Sequence, residues 1–265
     1  QPCSSAASDV YKRQIYVMFI FIVSSGFSQN SNTDWPNLNK YKNSNIEVLS
    51  RPKTNKRIVL MGNSITEGWT NFYPEYFKNK DLINRGISGQ TTPQMLIRFK
   101  PDVIDLNPDI VVILAGINDI AENTGPSSIK MITDNITSMA KLAKSHNINV
   151  ILSSILPAYD FPWRPKIKPH YKILKINETL QEYAIKNGHV YLDYFSNLHD
   201  GNNGLIKKYG IDPVHPNKDG YIVMSKLLDQ AIEESLTNKI STNVIDRFKQ
   251  KVFNCLLYTS PSPRD

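Results

Sequence analysis

Between residues 57 and 236 the chain alternates short apolar runs with longer amphipathic segments, and this alternation restricts the fold more than any other feature. The run DIVVILAG at 109–116 is apolar almost throughout, as in central strands of parallel sheets that are covered on both faces. The alternation therefore predicts an α/β fold with a parallel sheet between two layers of helices. The five predicted strands lie at 57–62, 82–87, 109–116, 149–156 and 189–194, and the predicted helices at about 91–105, 127–146, 170–187 and 217–236.

Polar motifs follow the predicted strands, where ligands of such sheets bind. GNSITEGW (62–69), GISGQT (86–91) and GIND (116–119) come after the first, second and third strands. DPVHP (212–216) lies after the fifth strand, before the last helix. Because the carboxyl ends of parallel strands meet at one edge of the sheet, we expect these four motifs to line one pocket.

The four motifs, in this order and over about 155 residues, resemble those of the SGNH (GDSL-type) esterases and lipases. The resemblance implies a three-layer α/β/α flavodoxin-like sandwich with a five-stranded parallel sheet, and ester hydrolysis through a serine. It implies that Ser64 is the nucleophile, His215 the base and Asp212 the residue that orients the base. It also implies an oxyanion hole made by the backbone N–H groups of Ser64 and Gly89 and the side-chain amide of Asn118.

The residue types suit these roles. A serine hydroxyl is a weak nucleophile that needs an adjacent base, and a carboxylate on the far nitrogen of a histidine fixes its tautomer. In the spacing Asp-x-x-His, one short loop can hold both Asp212 and His215. Gly89 lets the backbone approach a substrate closely because glycine has no Cβ, and Asn118 supplies an NH₂ group.

Each residue also has a structural interpretation when it is taken alone. Ser64 is suited to cap a helix, Gly89 to an ordinary turn, and Asn118 to a turn or a cap, while His215 would be a histidine in a surface loop. The occurrence of all four motifs after successive strands favours the catalytic interpretation. His199, which has an aspartate beside it, is the reserve base.

The chain departs from the family pattern at Asn63, where the family usually has aspartate. That aspartate is not a member of the catalytic triad, so the departure leaves the predicted triad intact. An amide keeps the size and one acceptor of a carboxylate, but it lacks the charge and adds a donor. We therefore expect Asn63 to stabilise the turn before Ser64.

The substrate is less constrained than the reaction. Trp69, and Trp163 in the loop YDFPWRP (159–165), are candidates to line an acyl or sugar pocket, with core packing as the alternative. The motifs TEGW and GISGQTT resemble the acetylhydrolase-like secreted bacterial branch, which implies a short acyl group, acetyl in particular, on a carbohydrate. The alternatives are a lysophospholipase or thioesterase of the same family and, from another class, a non-catalytic carbohydrate-binding protein on an esterase scaffold.

Composition points to no cofactor, metal or nucleic acid. The net charge is +7, but the lysines are scattered instead of forming a basic block with interleaved aromatics. No metal-ligand spacing or phosphate-binding glycine-rich loop is present. The two cysteines, Cys3 and Cys255, both lie in the terminal segments. We expect a small-molecule or carbohydrate ester as the partner, with the oligomeric state open.

The terminal segments have their own interpretation. The DNA string GATGTGTATAAGAGACAG encodes DVYKRQ (9–14). Its reverse complement, translated from the second base, encodes CLLYTS (255–260). The two ends therefore indicate a sequencing adaptor that was translated together with the gene. The apolar run 15–23, followed by small residues, is typical of a secretory signal, so we expect a secreted or periplasmic bacterial protein with no integral span in its mature form. The predicted segments are adaptor (1–14), signal peptide (15–28), surface segment or linker (29–54), SGNH hydrolase domain (55–238), tail (239–254) and adaptor (255–265).

Overall fold

The computed structural model describes residues 34–53 and 56–237. The chain divides into two compact units, 1–35 and 36–265, and the description below concerns the second. The predicted adaptor ends, signal peptide and C-terminal tail lie outside the described residues, and the domain limits stay predictions. Residues 36–53, from the predicted surface segment or linker, belong to the same unit as the sheet.

A parallel sheet of five strands forms the centre of this unit, which confirms the predicted fold class. Counted along the chain, the strands lie in the order second, first, third, fourth and fifth across the sheet, which is the flavodoxin-like order. In the register of the sheet, Ile58 pairs with Leu82 on one side and with Ile110 on the other. The strands are β1 (Ile58–Gly62), β2 (Leu82–Gly86), β3 (Ile110–Ile113), β4 (Asn149–Ser153) and β5 (Val190–Leu192).

Both faces of the sheet are covered. Side chains alternate between the two faces along each strand, so neighbouring residues of one strand pack into different clusters. Val59 and Met61 of β1 belong to one buried cluster, and Ile58 and Leu60 belong to another. Strand β1 is therefore apolar on both sides, and so is β3, which explains why the sequence shows continuous apolar runs there.

Helices form the two outer layers. The third, fifth and sixth helices contribute to the cluster around Val59, whereas the second and last contribute to the cluster around Leu60. The helices are α1 (Lys42–Ser50), α2 (Ser64–Phe72), α3 (Thr92–Asp102), α4 (Ile117–Ile120), α5 (Ile129–Ser145), α6 (Pro169–Asn187), α7 (Phe195–Leu198) and α8 (218–237, the end of the described residues). Within residues 34–53 and 56–237, no helix combines the length and apolar character needed to span a bilayer.

Several elements differ from the sequence prediction: β4 and β5 are shorter than the predicted runs 149–156 and 189–194, the short helices α4 and α7 were not predicted, and two further differences concern β3 and α1. Strand β3 ends at Ile113, whereas the apolar run continues to residue 116, because the chain there turns toward the left-handed conformation of Gly116 at φ +115°. Helix α1 was not predicted, because its sequence KNSNIEVLS is mostly polar and it buries only Asn45 and Val48.

Candidate active site

Ser64 is the first residue of α2, immediately after the turn that ends β1. The turn is tight at Gly62, where a Cβ would lie 1.9 Å from the Thr66 hydroxyl oxygen. The Oγ of Ser64 lies 3.0 Å from Nε2 of His215. Asn63, not Ser64, occupies the N-cap position of α2. The Ser64 hydroxyl is therefore directed at a histidine and does not cap the helix.

His215 is oriented by the carboxylate of Asp212. Its Nδ1 lies 2.8 Å from Oδ2 of Asp212, while the backbone N–H groups of Val214 and His215 donate to Oδ1 at 2.7 and 2.8 Å. Since Nδ1 faces a carboxylate, the proton of the neutral ring belongs on Nδ1, which leaves Nε2 free to accept the Ser64 proton.

Asp212 is held in its ionised form. Partial burial alone would raise the pKa of Asp212, but the backbone N–H groups of His215 and Val214 and the His215 ring together lower it below its ordinary value. Hydrogen bonds that favour the charged form of a carboxyl group act in this direction. The carboxylate can therefore stabilise a positive charge that develops on His215.

The three predicted oxyanion-hole donors lie on loops after β1, β2 and β3, which are neighbours in the sheet. Ser64 opens a helix, where backbone N–H groups have no intrahelical partner. Gly89 has φ +77°, and its N–H has no acceptor among residues 34–53 and 56–237. Asn118 donates one amide N–H to the Gln90 carbonyl at 3.0 Å, so the other is left for a ligand.

Asp119 is a part of the site that the sequence analysis did not single out. It is buried, and both of its oxygens lie 3.0 Å from the Thr92 backbone nitrogen, while the Thr92 hydroxyl donates to Oδ1 at 2.6 Å. Burial raises the pKa of Asp119 to about 6, against the effect of these hydrogen bonds. The contact fastens the loop that carries Asn118 to the start of α3. The structural alternative for Asn118 was a turn or a cap, but it is the neighbouring Asp119 that accepts a backbone N–H at the start of a helix, from Thr92.

Asn63 does not make the contacts expected of it. Its side chain is buried, and neither its amide nitrogen nor its oxygen has a hydrogen-bond partner among the described residues. The expected stabilisation of the turn by Asn63 therefore does not come from side-chain hydrogen bonds within the part of the chain that the structure describes.

The two tryptophans differ in their surroundings. Trp69 is only 2% exposed, stacks on Tyr76 at 5.7 Å between ring centroids, and donates its indole N–H to Ser225 at 3.2 Å. This position corrects the prediction that Trp69 lines the substrate pocket, since core packing accounts for it. Trp163, by contrast, is 49% exposed and its ring lies 6.3 Å from that of His215.

His199, the reserve base, has local partners. Its Nδ1 accepts the backbone N–H of Gly201 at 3.2 Å, and its ring stacks on Phe195 at 5.6 Å. The structure brings His215, and not His199, to the Ser64 hydroxyl. Among residues 34–53 and 56–237, no group of three His, Cys, Asp or Glu residues could hold a metal ion.

Comparison with known proteins identifies the family. Residues 60–223 match the model of the GDSL-like Lipase/Acylhydrolase family. Because this match covers more than half of the chain, the chain belongs to that family, as the motifs predicted. The structure is similar to that of a candidate acylhydrolase from Bacteroides fragilis NCTC 9343, with 47% sequence identity and a TM-score of 0.74. That similarity covers 76% of this chain and 98% of the other.

Two curated relatives match over a shorter region. The uncharacterized lipoprotein YqeF of Bacillus subtilis (strain 168) is 31% identical over an alignment of 117 residues, and the match covers 38% of this chain and 48% of the relative. An arylesterase of Vibrio mimicus is 30% identical over an alignment of 116 residues, and the match covers 39% of this chain and 56% of the relative. The chain thus spans about half the length of these two relatives.

Proposed function

We propose that this protein is a serine esterase that hydrolyses short-chain acyl esters, acetyl esters in particular, through an acyl-enzyme. The observation that carries the proposal is the continuous chain of hydrogen bonds from Ser64 Oγ through His215 to Asp212, with distances of 3.0 and 2.8 Å. Family membership and the arylesterase relative support ester hydrolysis as the reaction.

The geometry suggests the following steps. His215 Nε2 removes the Ser64 proton as Oγ attacks the carbonyl carbon, and the carbonyl oxygen becomes an oxyanion. The N–H donors of Ser64, Gly89 and Asn118 stabilise that charge, and each such donor typically contributes about 10²–10³ in rate. The ester C–O bond then breaks, and the alcohol takes the proton from His215. Water, activated by the same histidine, attacks the acyl-enzyme and releases the acid and free Ser64.

Trp163 supports a carbohydrate as the alcohol part of the ester. Its exposed ring offers an apolar face beside His215, the residue that returns a proton to the leaving group in the proposed mechanism. Aromatic faces of this kind suit sugar rings as well as acyl chains. The resemblance of TEGW and GISGQTT to the acetylhydrolase-like branch supports acetyl as the group removed.

We also propose that the protein acts outside the cytoplasm, in the periplasm or after secretion. The apolar run 15–23 has the composition of a signal segment. The curated lipoprotein relative of Bacillus subtilis supports such a location. Cell fractionation of the native bacterium, with an antibody against the protein, tests this assignment, and recovery only in the cytosol would reject it.

The activity is tested with two chromogenic esters. Wild type and Ser64→Ala are assayed with p-nitrophenyl acetate and p-nitrophenyl palmitate. We expect hydrolysis that prefers the acetate and requires Ser64. Equally slow release of nitrophenol by both proteins would leave the non-catalytic carbohydrate-binding alternative. A preference for palmitate would instead favour a lipase or lysophospholipase.

The base is tested by a matched pair of histidine variants. His215→Ala should lose most of the turnover, because it removes the group that contacts the Ser64 hydroxyl. His199→Ala should retain it, since its ring contacts Gly201 and Phe195. The opposite result would reassign the base to His199.

A further inference from the structure

A segment outside the family-model match contacts the loop that carries Gly89. We call residues 36–48 the N-terminal segment and residues 86–91 the oxyanion loop. The Tyr41 hydroxyl donates to the Gly86 carbonyl, at the start of the loop. Near its end, the Gln90 side-chain amide donates to the Pro36 carbonyl at 2.7 Å. The N-terminal segment therefore binds the oxyanion loop on both sides of Gly89.

A third contact reaches the residue before Gly89. Lys40 of the N-terminal segment pairs with Glu67 of α2. Glu67 in turn accepts a hydrogen bond from the Ser88 backbone N–H at 2.8 Å and another from the Ser88 hydroxyl. This carboxylate thus links the helix that begins with Ser64 to the oxyanion loop, and Lys40 balances its charge.

Asn45, near the end of the N-terminal segment, contacts a buried ion pair. Asn45 donates to Asp102 at 2.9 Å, and the same carboxylate accepts from Arg98 at 3.0 Å. Arg98 is fully buried and donates to the Gly62 carbonyl at 2.9 Å and to the Gln90 side chain. These contacts connect the N-terminal segment to the turn before Ser64 and to the oxyanion loop at once.

Such contacts matter for catalysis because oxyanion donors act only when they are held in place before the charge develops. Gly89 has the left-handed conformation of a residue in a turn and no side chain of its own to pack, so neighbouring contacts must hold its N–H in place. Burial raises the pKa of Tyr41 to about 12, which keeps its hydroxyl protonated and therefore a donor.

We propose that Tyr41 is a positioning residue of this enzyme, which holds the oxyanion loop so that the Gly89 N–H faces the developing oxyanion. This inference rests on the esterase function proposed above. It assigns a role in the reaction to the N-terminal segment, which lies before the residues that match the family model.

The test is Tyr41→Phe, which removes only the hydroxyl and leaves the ring over the Arg85 guanidinium, 4.6 Å from the ring centroid. The matched control is Tyr171→Phe, whose side chain is exposed on α6. Both variants are compared with wild type and Ser64→Ala for kcat and KM on p-nitrophenyl acetate. A short alkylboronic acid, which forms an anionic tetrahedral adduct with a serine hydroxyl, serves as the probe of the oxyanion hole.

For Tyr41→Phe we expect kcat to fall about tenfold with little change in KM, because positioning affects the transition state and not the bound ester. The boronic acid should bind more weakly by the same factor, and Tyr171→Phe should match wild type. A merely structural role would lower kcat only through loss of folded protein, which urea unfolding detects. Wild-type kcat in Tyr41→Phe, or reduced kcat with unchanged boronate binding, would overturn the inference. If wild type hydrolysed the ester no faster than Ser64→Ala, the proposed function itself would be refuted.

Discussion

Asp212 contacts His215 twice, through Oδ2 to the ring Nδ1 at 2.8 Å and through Oδ1 to the backbone N–H at 2.8 Å. The side chain that orients the histidine therefore also fixes the loop on which the histidine lies. This double contact is possible because the two residues are three positions apart, within one turn.

Replacing Asp212 with asparagine separates the two contacts. Asn can still accept the backbone N–H groups, but it lacks the charge that stabilises the imidazolium and the proper tautomer. We expect kcat to fall by about 10³–10⁴ with the fold retained. Asp200→Asn is the matched control, because Asp200 also accepts backbone N–H groups, from Asn202 and Gly204, in a nearby loop. A loss of less than about tenfold in Asp212→Asn would argue against its role.

Asp119 makes stability depend on pH. Since burial raises its pKa from 3.8 to about 6, the folded state binds more protons than the unfolded state between these values. The titration of Asp119 therefore lowers the free energy of unfolding as the pH rises from about 4 through 6. The expected decrease is on the order of 2–3 kcal/mol.

Urea unfolding of wild type and Asp119→Asn at pH 4.5 and pH 7 measures this effect. Wild type should gain stability relative to the variant at the lower pH, because the variant has no titrating group at this position. The exposed Asp134→Asn is the matched control. A difference between wild type and Asp119→Asn that is equal at both pH values would contradict the prediction.

The Arg98–Asp102 pair should contribute far more to stability than a surface pair of the same spacing. Both side chains are at most 1% exposed, so Arg98→Met leaves an uncompensated buried carboxylate and should lower the free energy of unfolding by about 3–5 kcal/mol. Lys130→Met breaks the exposed pair with Asp134, which is also four residues away. This substitution should change the free energy of unfolding by about 0.5 kcal/mol or less. Equal losses in urea unfolding would show that burial does not decide the result.

The two tryptophans should respond oppositely to truncation. Trp69→Ala leaves a large cavity in the core and should lower the free energy of unfolding by about 3–5 kcal/mol. Trp163→Ala should leave stability nearly unchanged and raise KM for an acetylated sugar by about threefold to tenfold. An unchanged KM for Trp163→Ala on both the acetylated sugar and p-nitrophenyl acetate would remove Trp163 from the substrate site.

The predicted elements that proved correct are those whose signal is local. The run from Ile110 to Ile113 is apolar on both faces because helices cover both faces, and this composition marks a central strand in any such fold. The motifs with Ser64, Gly89, Asn118 and His215 follow their strands in order, so the edge on which they would lie was predictable from chain order alone.

What sequence patterns did not predict depends on partners distant in the chain. The sequence around a tryptophan near the nucleophile is the same whether the ring is buried or exposed. Only the packing of Tyr221 and Ser225, both from the last helix, places Trp69 in the core. The buried side chain of Asn63 without hydrogen-bond partners among the described residues was equally invisible, because an amide normally indicates a hydrogen bond.

The sequence by itself determined the parallel α/β architecture, the family and the order of the candidate catalytic residues, because apolar periodicity and motif spacing are properties of neighbouring residues. Only the tertiary structure decided that a polar segment such as 42–50 is a helix against the domain and that Tyr41 contacts the oxyanion loop. The physical reason is that a few buried contacts, such as those of Asn45 with Arg85 and Asp102, suffice to order a segment whose composition alone indicates a solvated surface.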